Sequence, residues 1–239
     1  MMKKTISLLT IFILLASCSN DVKFNDPGFQ VYKNNTLIKP TNVVAYKSVS
    51  TGVVSIQAST DVENISMLIT NSYVGSYYLG TSNSNTLATY NSVSNGVIYN
   101  YSTTPKRGSI NRISSIVTPG SGYTSSSAAQ TTTTGGGTGL VVLTTASNGI
   151  VTSAKIVTPG NNYFPGDLVT INGGNNQASF YVENTVGTNG VITITDSSNG
   201  TISGSFKFNA LNTDTSLTSP DVLNFTNGAF YKIPLISMP

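Results

Sequence analysis

The side chains able to do chemistry are few. The 239-residue chain has no histidine, one cysteine and nine carboxylates. Without histidine there is no Ser-His-Asp triad, no Cys-His pair and no imidazole-bound metal. The carboxylates are scattered and stand mostly beside turn residues. Asp61 and Glu63 are the nearest pair, and two residues apart on a strand they read as one solvated edge, not an acid-base couple. Asp196-Ser197-Ser198-Asn199-Gly200 lacks the alternating acidic positions and closing glutamate of a calcium loop, and reads as a hairpin turn. Thr134-Gly135-Gly136-Gly137-Thr138-Gly139 lacks the lysine and following helix of a phosphate loop, so its glycines read as turn and close-packing positions. The expectation is a protein that is not an enzyme, with no catalytic residue, metal or cofactor.

Cys18 is the one side chain with a definite chemical role. Lys3 and Lys4 precede ten residues, Ile6 to Leu15, of which eight are large and apolar, and Leu15-Ala16-Ser17 leads into the cysteine. Ten helical residues rise about 15 Å, half of a hydrocarbon core, so the segment reads as a secretory signal and not as a membrane span. Its end resembles the bacterial lipobox, which implies that Cys18 is acylated and becomes the first residue of the mature chain. Two or more acyl chains hold a protein on a membrane where one does so only marginally. Ser19, in place of an inner-membrane aspartate signal, implies the outer membrane by the same resemblance.

Beyond the signal, 222 residues remain, with ten basic and nine acidic side chains. A nearly neutral chain has no field to gather phosphate backbones, so nucleic acid is not an expected partner. Lys106, Arg107 and Arg112 form the only basic cluster and read as a solvated loop. Abundant Ser, Thr, Asn and Gly with β-branched residues point to strands and turns. Val54, Ile56 and Ala58, then Ile65, Met67 and Ile69, alternate as half-buried strands do. Phe206, Phe208 and Ala210 share one face of a later strand. Asn227-Gly228 predicts a hairpin between Val222–Thr226 and Ala229–Ile233, with Pro234 ending the sheet.

The middle of the chain has a different texture. Ile116-Val117-Thr118-Pro119-Gly120-Ser121-Gly122-Tyr123 recurs 40 residues later as Ile156-Val157-Thr158-Pro159-Gly160-Asn161-Asn162-Tyr163, and the glycine runs at 135–137 and 173–174 correspond loosely. This is a two-unit repeat. Each unit predicts a strand, a Pro-Gly turn with a tyrosine folding back, a second strand, a glycine turn and a third strand, the two units packing on each other.

Phe24-Asn25-Asp26-Pro27-Gly28-Phe29-Gln30, Gly75-Ser76-Tyr77-Tyr78-Leu79-Gly80, the Gly200–Ala210 strand and Val222–Pro234 together resemble a family of small Bacteroidota lipoproteins whose domain has no assigned function. The resemblance covers about 24 to 104 and 187 to 234. The stretch between departs from it and resembles, weakly, the Gly-Tyr β-repeats of large secreted and phage-tail-like proteins.

The expected organisation is a signal peptide over 1–17, the acylated cysteine and tether over 18–28, and an all-β domain in two halves, 29–104 and 187–239. That domain is an antiparallel sandwich or small barrel, interrupted by a two-unit β-repeat insertion over 105–186. The expected function is non-catalytic binding or cell-surface structure on an outer-membrane lipid anchor. The alternative is an accessory lipoprotein subunit of an envelope secretion or transport complex. Partners are the membrane, through the lipid, and a glycan or protein ligand. The natural contacts are Tyr73, Tyr77, Tyr78, Tyr99, Tyr101, Tyr123 and Tyr163, the last two either meeting that ligand or packing over their own turns.

Overall fold

The computed structural model describes residues 28–214, 216 and 219–239. The signal, Cys18 and most of the tether lie outside them. The described residues form seventeen strands and no helix, so the protein is all-β.

Eleven strands make the larger sheet. Eight lie in the first half: β1 (Gly28–Lys33), β2 (Thr36–Ile38), β3 (Asn42–Ser48), β4 (Val54–Ser59), β5 (Glu63–Ile69), β6 (Gly75–Leu79), β7 (Leu87–Ser94) and β8 (Val97–Ser102). Six strands make the smaller sheet: β9 (Ile110–Ile113), β10 (Ser126–Thr133), β11 (Thr138–Ser147), β12 (Ile150–Asn161), β13 (Leu168–Ile171) and β14 (Ser179–Thr185). The larger sheet resumes with β15 (Gly190–Asp196), β16 (Thr201–Asn212) and β17 (Val222–Met238).

The larger sheet closes on itself. β17 pairs with β16 along its first part and, in parallel, with β3 at its end, and the run β3-β4-β5-β7-β8-β16 completes a barrel-like ring. Closure leaves few unpaired strand edges. The interior is filled by the alternating residues. Val54, Ile56, Ala58, Ile65, Met67 and Ile69 are all buried, as are Phe206, Phe208 and Ala210. Phe208 stacks on Phe225 with ring centroids 4.4 Å apart, and Tyr90 lies 5.2 Å from Phe225. Asn95-Gly96 forms the two-residue turn between β7 and β8, with both residues at positive φ as such loops require, and Asn199-Gly200, also at positive φ, closes the four-residue loop between β15 and β16.

Two turn expectations are corrected. Asn227-Gly228 is not a hairpin but a bulge within one seventeen-residue strand, with Asn227 at φ 49°. Opposite it, Phe206 lies so close to Gly228 that a Cβ there would stand 2.5 Å from the ring. Asparagine and glycine therefore supply a left-handed residue and a bare backbone, the needs of a bulge as well as of a turn. Pro234 does not end the sheet either. β17 passes through it, and the parallel pairing to β3 begins at Leu235, opposite Ala45.

The smaller sheet runs β12-β11-β10-β13-β14-β9 and has its own core, including Leu140, Val142, Val169 and Phe180. Residues 114–123 join its edges: Val117 N–H donates to the Ser179 carbonyl (2.8 Å), Tyr123 N–H to that of Gly149 (2.9 Å), and Val151 N–H to that of Pro119 (2.9 Å). The expected strand at Ile116 is absent. In the second unit the expected Pro-Gly turn lies inside β12, with Pro159 opposite Leu140. β12 is an edge strand, where proline's missing donor costs little.

The two sheets meet at a break in one strand. Ser102, ending β8, lies opposite Leu211, and Gly190, opening β15, lies opposite Phe208. β8 and β15 thus follow one another along the same side of β16, and everything between them departs and returns within three positions. The inward alternation also carries across the break, from Tyr101 and Thr103 to Ile192 and Ile194. The neighbouring strand breaks at the same level: β6 pairs with β15, β7 pairs with β8, and residues 80–86 loop out between them.

Candidate functional site

Tyr123 and Tyr163 do not face a ligand. They are 6% and 1% exposed, and the surroundings show what they do instead. Tyr123 lies over Gly120, three residues before it, and over Gly174 in the second unit; added Cβ atoms would stand 2.5 and 2.6 Å from its ring. Tyr163 lies over Gly160 and over Gly137 in the first unit, at 2.7 and 2.3 Å in the same sense. Each repeat unit therefore lends its tyrosine to the glycine turn of the other. The Tyr123 hydroxyl donates to the Ile171 carbonyl (2.8 Å) and accepts from Ala178 N–H (3.1 Å). These rings are packing elements, the second of the two roles the sequence left open for them, and they pack over the turn of the other unit as well as their own.

The basic cluster is only partly a solvated loop: Lys106 and Arg107 are exposed, but both arginines make contacts. Arg107 donates through Nη1 to the carbonyls of Gly135 (2.6 Å) and Asn162 (2.9 Å), tying the glycine turn of the first unit to the residue before Tyr163 in the second. Arg112 donates to Glu183, and its guanidinium carbon lies 3.7 Å from the centre of the Tyr78 ring. That contact joins β9 and β14 of the smaller sheet to β6 of the larger. Nearby, Asn184 Nδ2 donates to the Leu79 carbonyl (3.1 Å) in a buried contact and accepts at Oδ1 from Asn111 (2.8 Å).

Against this joint lies a cleft of about 560 Å³. One wall is β6, with Tyr77 and Tyr78; the rim is the 80–86 loop, with Thr81, Ser82 and Asn83; the far wall comes from the smaller sheet, with Tyr181 and Glu183. Tyr78 and Tyr181 are 36% and 43% exposed, so their rings are available to a guest. The Tyr77 hydroxyl turns away to the Tyr73 carbonyl (2.7 Å), and burial raises its pKa. Aromatic faces among hydroxyl and amide groups suit a polar, uncharged molecule with apolar C–H faces, and the volume is that of an ordinary small-molecule site. The carboxylate in the lining, Glu183, is engaged by Arg112.

A second polar cluster sits at the far end of the barrel. Lys33, Glu63 and Tyr90 form a closed triangle: Lys33 Nζ donates to Glu63 and to Tyr90 Oη (2.7 Å), and the Tyr90 hydroxyl donates to Glu63 (2.7 Å). Burial lowers the Lys33 pKa, but its hydrogen bonds to Glu63 and Tyr90 outweigh this and the net shift is upward. Burial raises that of Tyr90, against the Lys33 hydrogen bond. Glu63 is thus bound to Lys33, not paired with Asp61. Among the described residues no three histidine, cysteine or acidic side chains converge as a metal site.

Tyr77 and Tyr78 stand among the candidate contact tyrosines of the sequence, but Tyr181 and the 80–86 loop do not. Nothing local marks them, because the cleft is assembled by the strand break, a feature of pairing register.

The fold defines an all-β protein with a barrel-like sheet and a smaller sheet set into one of its strands. The chain belongs to a family of domains of unknown function, DUF6252, whose profile matches residues 25–123 and 161–234. Every residue lining the cleft lies within the matched parts. The match runs further into the middle of the chain than the sequence resemblance suggested and leaves out 124–160, which holds β10, β11 and nearly all of β12. That stretch is about one repeat period long. No curated protein and no solved structure gives a significant match.

Proposed function

We propose that the protein is a non-catalytic binding module, tethered by lipid on Cys18 to the outer membrane of a Bacteroidota cell, and that it holds an uncharged glycan in the cleft between β6 and β14. The observation that carries this reading is the pair of accessible rings, Tyr78 and Tyr181, facing a cleft whose lining also offers the hydroxyls of Ser76, Thr81, Ser82 and Thr86 and the amide of Asn83. Arg112 braces the back of one ring and neutralises the carboxylate beside it. This leaves a surface that offers stacking and neutral hydrogen bonds, the means by which a sugar ring is held without chemistry being done on it.

The test is calorimetric titration of the protein with a panel of neutral oligosaccharides. A member of the panel should bind, and Tyr78→Ala and Tyr181→Ala should each weaken it at least tenfold while leaving the unfolding temperature within a few degrees. Retention of binding in both variants, or binding by none of the panel, refutes the glycan reading.

A further inference from the structure

Among the described residues, the most exposed large apolar side chains gather at one end of the barrel. Tyr73, Val49 and Val74 are 76%, 70% and 67% exposed. They stand on two loops at the same end. Val49, in the β3–β4 turn, donates its N–H to the carbonyl of Met238 at the close of β17 (2.9 Å), and Met238 is itself exposed. Tyr73 and Val74 lie between β5 and β6, and that loop is tied back to β3 by Lys47 Nζ donating to Ser72 Oγ (3.2 Å).

The chain enters the fold toward the same end. β1 runs opposite to β17, and its first residue, Gly28, pairs with Tyr231, so β1 begins at the end of the sheet where β17 closes. Ten residues separate that point from the end of the signal, Cys18 to Pro27, with an extended reach of about 35 Å. The charges are also unevenly shared. Asp61, Glu63, Asp214 and Asp221 stand about the opposite end with Lys33 and Lys39, four acidic against two basic side chains, whereas Asp196 is the carboxylate near this one, where Lys47 and Lys232 stand. Valine and tyrosine tips with lysine behind them are the composition that settles into the headgroup region of a bilayer.

We propose that this end of the barrel rests on the lipid surface, with Tyr73, Val74 and Val49 entering the headgroup region. The inference depends on the lipid-anchor reading above but not on the glycan reading. In this pose the chain enters β1 from the end of the barrel that meets the lipid, and the β7–β8 hairpin, carrying Val93 and Ile98, points away from the membrane.

The chain has no tryptophan, so one introduced residue is a clean reporter. Full-length protein bearing Tyr73→Trp or Ile98→Trp is recovered from the membrane fraction, its intact mass is read, and it is reconstituted in phosphatidylcholine vesicles with or without bromine on the acyl chains. The expected result is an acylated mass, with bromine quenching at least twofold greater at position 73 than at position 98. Acylated protein with equal or reversed quenching overturns the proposal. Quenching at neither site, with position-73 emission shifting as protein density rises, assigns the patch to a second copy and overturns it too. A mass without acyl groups overturns the anchor and this inference together, so the two failures are told apart.

Discussion

Tyr163 closes over Gly137 so tightly that a methyl group on the glycine would stand 2.3 Å from the ring. Tyr123 closes over Gly174 of the other repeat unit in the same manner. The two repeats are therefore held by an exchange of one aromatic ring each, and the exchange predicts how the module fails.

Tyr163→Ala should empty a fully buried site and cost about 3–5 kcal/mol of the module's stability, the usual range for loss of a buried aromatic. Gly137→Ala should cost about 1–3 kcal/mol by overpacking the same contact. Thermal unfolding followed by calorimetry checks both. If Gly137→Ala unfolds like the wild type, the ring does not sit where described.

Tyr123→Phe keeps the ring and removes its hydroxyl. The Ala178 N–H and the Ile171 carbonyl then lose a buried partner. The expected loss is about 1–3 kcal/mol, read from the urea midpoint. A midpoint unmoved by the substitution would show that the two groups find other partners.

The Lys33–Glu63–Tyr90 triangle predicts an alkaline limit. The Lys33 and Tyr90 pKa values are both raised above their ordinary values of 10.5 and 10.0. A group whose pKa is higher in the folded state stabilises the fold fully below its unfolded value, and that contribution drains away as pH rises through the folded value. Wild-type stability should therefore be level through neutral pH and fall above pH 10. Lys33→Met combined with Tyr90→Phe should be less stable at pH 7 and should flatten the fall. Parallel curves for the two proteins between pH 9 and 11.5 would remove the triangle as the cause.

The interrupted strand predicts a working deletion. Joining Thr104 directly to Gly190 sets Gly190 three positions beyond Ser102, the place that its partner Phe208 requires, and keeps the inward alternation. The shortened chain should fold, with the β15–β16 amides as protected from hydrogen exchange as in the full protein. Unprotected amides there would mean that the smaller sheet is needed to hold the barrel together.

The barrel was legible wherever one face is buried and the other wet. Val54 to Ala58 and Ile65 to Ile69 announce themselves by period two, because a slip of one residue would turn every side chain outward. What was not legible depended on partners. Asn227-Gly228 carries the same local demand for positive φ in a bulge as in a turn, and only Phe206 lying across Gly228 separates the cases. Tyr123 and Tyr163 look like surface tyrosines because they follow turns, yet each closes not only over the glycine three residues before it but over one in the other unit, 51 and 26 residues away. The cleft was least visible, since Tyr78 and Tyr181 come together through a register relationship that no window of sequence contains.

The break between β8 and β15 also separates two kinds of freedom. Because departure and return lie side by side on β16, the smaller sheet can lengthen or shorten without shifting a single rung of the barrel, and closure entropy grows only slowly with inserted length, about 0.6 kcal/mol per doubling. One jaw of the cleft belongs to the barrel and the other to β14 of the smaller sheet, and both lie within the family match. Growth by a repeat unit, such as the stretch 124–160 outside that match, adds strands beyond the jaws and leaves both the grip and its mounting in place.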